Sequence, residues 1–152
     1  MKEKIITTGS SGQLGKSLTI SFLVFEIIAY LFILLFVYAA WSKIGDFGSF
    51  SKAFIHSDYI GQHSKLLAIA ILVAEIGISI LLIIPATRRM GLLAALLLLL
   101  LFTGYLVLMF LKGNEMPCGC GGIISSMSWS QHLWFNSGCI LVALFALLLN
   151  KK

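Results

Sequence analysis

Four long apolar runs, at residues 18–41, 66–84, 90–111 and 129–149, constrain this chain more than anything else in it. Each holds about 19 to 24 residues, which at ~1.5 Å of rise per residue is enough to carry a helix across a hydrocarbon core ~30 Å thick. The 152-residue chain is 59% hydrophobic and only 11% charged, and its mean hydropathy is +1.02. Such a composition belongs to integral membrane proteins and excludes an ordinary soluble domain. The expected fold is all-α: a polytopic four-transmembrane-helix bundle, with a short interfacial helix in the first outer loop.

The first run is preceded by lysines and followed by Ala39-Ala40, as a secretory signal would be. Its length argues against removal, because the apolar part of a signal peptide is only about 7 to 15 residues. Residues 1–17, with Thr7-Thr8-Gly9-Ser10-Ser11-Gly12, read as a loose polar tail, 18–149 as a single membrane domain, and 150–152 as a basic end.

An even number of spans puts both termini on one side, so the basic residues can be sorted by face. Lys2, Lys4, Lys16, Arg88, Arg89, Lys151 and Lys152 fall with the termini and the turn at 85–89; Lys43, Lys52, Lys65 and Lys112 fall on the other face beside Asp46, Asp58 and Glu115. Seven against four on short segments favours termini in the cytoplasm of a bacterial inner membrane. The formal charge of +5 is then a topology signal, and no basic groove interleaved with aromatics points to nucleic acid. The partner implied by composition is the lipid bilayer.

Between the last two runs lies a polar segment containing Met116-Pro-Cys-Gly-Cys-Gly-Gly122. Two of the three cysteines, Cys118 and Cys120, sit here, and in the orientation above they face the periplasm, where disulfides persist. A disulfide between them closes a very small ring, and strained disulfides are the labile, oxidising ones. The glycines leave the backbone open to a partner's thiol. The plain alternative is a glycine-rich turn with incidental cysteines.

On the last run, His132, Asn136 and Cys139 follow i, i+4, i+7 spacing and form one stripe. His132 can move a proton during thiol exchange and Asn136 can orient it; equally, both can be hydrogen-bonding glue between helices. Cys139 reads as an inert buried thiol. Glu26 and Glu75 are the acids within the spans. Their similar depth allows them to face each other and share a proton, with Tyr30 and Ser79 as further donors, and Glu75 is expected to be buried and protonated. Phe47, Phe50 and Phe54 recur at helical spacing in the first outer loop and suit a short helix in the interface. The capping-box pair Ser128 and Gln131 marks the start of the fourth helix, and Trp129 and Trp134 fit an aromatic belt. His56, Asp58 and His63, taken with Cys118, Cys120 and His132, offer soft and borderline ligands for Cu(I) or Zn(II), but their spacing matches no finger or ribbon and no metal site is assigned.

The run Pro117-Cys-Gly-Cys-Gly-Gly122, then Trp129-Ser-Gln-His132 and Asn136, resembles the C-terminal signature of the MauE/DoxX-like redox-associated membrane proteins, in the form found in Bacteroidota. The resemblance extends over most of 18–149 and takes in Tyr38, Lys43, the aromatic outer segment, Glu75 and Phe102-Thr-Gly-Tyr105. It implies a four-helix inner-membrane protein that supports disulfide formation with a periplasmic thioredoxin-like partner, as a thiol-disulfide oxidoreductase or a redox-relay subunit. Gly121 and Phe135 depart from residues common among relatives, and methylamine metabolism does not follow from the fold. The rivals are a quinone-coupled thiol oxidase, which requires a second dithiol or a ring pocket beside the first, and a metal carrier or assembly factor.

The orientation is open to direct measurement. A membrane-impermeant thiol reagent applied to intact cells after mild reduction is expected to label Cys118 or Cys120; labelling only after permeabilisation reverses the topology.

Overall fold

In the computed structural model, residues 8–52, 63–111 and 129–149 are described. They form α1 (Thr8–Gly45), α2 (Phe47–Lys52), α3 (Ser64–Ile83), α4 (Arg88–Leu111) and α5 (Trp129–Leu149), with a 3-10 turn at Pro85–Thr87 between α3 and α4. No strand occurs among the described residues. Four helices are long and apolar enough to cross a membrane, over Ile20–Gly45, Ser64–Ile83, Pro85–Leu111 and Ser130–Leu149. The chain is an all-α polytopic membrane protein. Helices suit this setting because each satisfies its own backbone hydrogen bonds where no water can do so.

The helices close into a ring in which α1 packs on α3, α3 on α4, α4 on α5, and α5 on α1. What faces inward follows helical spacing. On α1 the buried stripe is Phe25, Ile28, Phe32 and Phe36; it meets Ile78 and Leu82 of α3, Leu92, Ala95 and Leu99 of α4, and Ala143 and Ala146 of α5. Alanines on α4 and α5 let those helices approach, while the phenylalanines of α1 fill the centre. Outward positions such as Leu34, Leu97 and Trp134 remain exposed and apolar, the expected inversion where the solvent is lipid.

Two boundaries differ from the sequence expectation. Helix α1 begins at Thr8, within the stretch expected to be a loose tail, and continues to Gly45, past the end of its apolar run. The short outer helix does form as α2, yet Phe50 is fully buried against Ala68 of α3, so one aromatic docks into the bundle instead of lying on the interface. Asp46 starts α2 by accepting the Ser49 backbone N–H at 3.2 Å. Phe54 and Ser128 lie outside the described residues.

The α3–α4 turn is closed by side chains that absorb the last carbonyls of α3. Thr87 Oγ1 donates to Leu81 O at 2.8 Å, and Arg88 Nε donates to Leu82 O at 3.0 Å. These are groups a helix end leaves without partners. Immediately beyond, Gly91 lies so close to α3 that a Cβ there would stand 2.9 Å from Leu82 Cγ and 3.0 Å from the Leu82 backbone nitrogen. The leucine side chain can rotate, but the backbone nitrogen cannot withdraw without moving α3.

Gly91→Ala is therefore expected to destabilise the detergent-purified protein by about 1–3 kcal/mol, the usual cost of overpacking. Gly104→Ala, which meets nothing within 4 Å, is expected to leave the melting temperature unchanged or raise it. Equal melting temperatures for the two variants would refute the close α3–α4 contact.

Candidate functional site

The two intramembrane acids do not meet. Each has its own cation. Lys43 Nζ donates to Glu75 Oε1 at 2.5 Å, with side chains only 10% and 7% exposed. At the opposite end of the bundle Arg88 pairs with Glu26, stacks over the Tyr30 ring at 5.0 Å and donates to the Tyr30 hydroxyl at 3.4 Å. Ser79, expected as a donor to the Glu75 carboxyl, instead bonds the Glu75 backbone carbonyl at 2.8 Å.

The physical reason is the length of α1. Lys43 belongs to its last turn and not to a loop, and it lies about 25 Å further along the axis than Glu26. Its four-carbon stem reaches inward and brings the ammonium to Glu75, over the face of Phe50 with 5.3 Å to the ring centroid. The pattern was present in the chain: Lys43 continues the inward stripe Phe32, Phe36, Ala40, and Arg88 begins the α4 stripe that runs through Leu92, Ala95 and Leu99.

Above the central core the helices part around a cavity of about 320 Å³. Lys43 and Glu75 form its charged wall, His132 and Asn136 its wall from α5, and Phe36, Phe102, Tyr105 and Phe135 much of the rest. The His132 ring lies 5.6 Å from that of Phe102, tilted by 52°. Asn136 is 4% exposed, and its Nδ2 has no hydrogen-bond partner; the same holds for Glu75 Oε2. Buried polar atoms left in this way cost ~1–3 kcal/mol each, so a cavity wall presenting a donor and an acceptor favours a polar occupant, water included.

The stripe anticipated on the last helix is therefore divided. His132 and Asn136 reach the cavity, whereas Cys139 is a free thiol packed beside the central core. Cys118, Cys120, His56 and Asp58 lie outside the described residues, and His63 is exposed ahead of α3. Among the described residues no three His, Cys, Asp or Glu side chains cluster in a way that could hold a metal ion.

Six residues that carried the sequence resemblance, Lys43, Glu75, Phe102, Tyr105, His132 and Asn136, thus come from four helices to one chamber. The fold and this chamber define a multi-pass membrane protein with a polar-capped apolar pocket between its helices. Residues 21–149 match the family model of the methylamine utilisation protein MauE, and the chain belongs to that family. Membership gives it a general redox-associated role at the membrane. No curated protein and no solved structure matches it.

A buried ion pair costs much more to break than to replace. Removing one partner strands a charge, at about 3–5 kcal/mol, whereas an apolar pair of similar volume is often neutral. Lys43→Met and Glu75→Leu are each expected to lower thermal stability strongly, and the double variant to recover most of the loss. Additive losses in the double variant would show that the two side chains act independently.

Proposed function

We propose that this protein exchanges thiol and disulfide equivalents, through Cys118 and Cys120, with an extracytoplasmic thioredoxin-like or maturing protein, and that it does so in a bacterial inner membrane with both termini cytoplasmic. The observation that carries the reading is the convergence of the family-type residues at one end of the bundle. His132 and Asn136 lie in the first turns of α5, the helix that the cysteine-bearing segment enters directly from α4.

The chemistry is an exchange in two displacements. A thiolate of the pair attacks one sulfur of a partner disulfide; a mixed disulfide forms, and the partner's other sulfur leaves as a thiolate and takes up a proton. The second cysteine of the pair then loses its proton and attacks the mixed disulfide, releasing the partner as a dithiol and leaving Cys118 and Cys120 joined. Run backwards, the same steps oxidise the partner. His132 is the group assigned to proton movement, and Asn136 is assigned to its positioning. Glycines on both sides of Cys120 suit the close approach of a second protein to sulfur.

Single Cys118→Ser and Cys120→Ser variants are expected to accumulate a mixed disulfide with the natural partner, visible as a reducible high-mass band, because the second thiol of the pair is no longer there to resolve it. Cys139→Ser is expected to behave as the parent. A Cys139→Ser variant as inactive as Cys118→Ser would replace the two-cysteine scheme with a three-thiol relay.

A further inference from the structure

Apart from His132 and Asn136, the residues lining the cavity have no task in the thiol exchange proposed above, and their chemistry describes an occupant. Its volume of about 320 Å³ lies at the lower end of the ~300–1,000 Å³ typical of small-molecule sites. The walls are predominantly leucine, isoleucine and aromatic rings, so the occupant has an apolar, flat-sided body. Lys43 and Glu75 compensate one another; the chamber carries no net charge from this pair, and the occupant is neutral.

The polar end is equally specific. Asn136 Nδ2 is a buried donor without a partner and Glu75 Oε2 a buried acceptor without one. The Lys43 ammonium carries three donors, and one of them serves Glu75 Oε1. A ring carbonyl accepts from the first and the third. A ring hydroxyl donates to the second. Access is from the lipid, since Leu101 and Phe135 line the cavity and are also 64% and 41% exposed on the outer surface of α4 and α5. A fatty acid would bring a third formal charge to a balanced pair, and a sterol's single hydroxyl leaves no second oxygen to divide between the donors and the acceptor.

From these features we infer that the cavity between α1, α3, α4 and α5 is a binding site for the head ring of a membrane-dissolved quinone, in which Asn136 and Lys43 donate to a ring carbonyl and Glu75 accepts from the hydroxyl of the reduced ring. The aromatic side chains Phe36, Phe102 and Phe135 flank the ring, and a lipid-soluble tail leaves past Leu101. The site shares Asn136 with the thiol exchange proposed above, but none of its contacts involves a cysteine, so binding can be measured apart from that exchange.

The test uses the full chain in lipid nanodiscs, with menadione as the probe and empty nanodiscs to subtract partition into lipid. Equilibrium binding is expected to saturate at one menadione per chain. Asn136→Leu is expected to weaken it at least about tenfold, the value of a buried hydrogen bond, and Ala39→Phe, which places a ring in the cavity from α1, to abolish it. Leu97→Ala on the lipid face and Cys118→Ser should bind as the parent does. Melting curves check that each variant is folded; if Asn136→Leu does not assemble, Leu98→Phe fills the cavity from α4 and takes its place beside Ala39→Phe. Absence of saturable binding, as for a chamber holding water alone, overturns the inference. So does binding that the cavity-filling variants leave intact.

Discussion

A carboxylate among apolar helices in a bilayer has to find a cation, take a proton or be expelled, and the pairing of Glu75 with Lys43 is the solution on which the upper half of this structure depends. It fixes where α1 ends relative to α3, because the lysine reaches the acid only if α1 stays helical through its last turn. It holds Phe50 beneath the ammonium, and so holds α2 against the bundle. It also supplies one wall of the chamber. Arg88 does the corresponding work at the other end, where a single guanidinium joins Glu26, Tyr30 and the end of α3. Each pair is expensive to desolvate, so neither is present for stability alone. What the Lys43–Glu75 pair provides in exchange is a polar surface inside an otherwise hydrocarbon interior.

The spans themselves were legible because length and hydropathy are properties of a single helix. The fourth run, 129–149, coincides with α5, and the second and third differ from α3 and α4 by a residue or two at their ends. The ends of α1 were not legible from hydropathy. Threonine, serine and glycine at its start and Ser42-Lys43 at its close read as loop, yet a helix continues wherever its carbonyls are better satisfied within it than outside. The two ion pairs were missed for a related reason. A count of charges by membrane face, in which Lys43 and Arg88 both figure, takes no account of which way a side chain points. Their position on the inward stripes is the signal that would have placed them.

The site was legible in its parts and not in its assembly. Glu75, His132 and Asn136 each stand out in the sequence as polar residues in or near the bilayer, and all three line the chamber. Their association depends on the spatial order of the helices, which places α5 beside α1 and α4, and on a lysine credited to a loop. Phe102 and Tyr105 entered only through the family resemblance, since aromatic residues in a membrane helix carry no chemical signal of their own. Their role is to give the chamber its shape.

The contrast between the two ends of the bundle has a mechanical consequence. At the turn, a three-residue connection, the guanidinium network and a glycine with no room for a methyl group clamp α3 and α4 together. At the other end the same two helices flank an open chamber. A bundle built in this way behaves like a pair of tongs with a welded pivot: small tilts of α4 about its first turn grow to their largest excursion at its far end, beside the chamber. Widening the chamber then does not demand that the central core be unpacked.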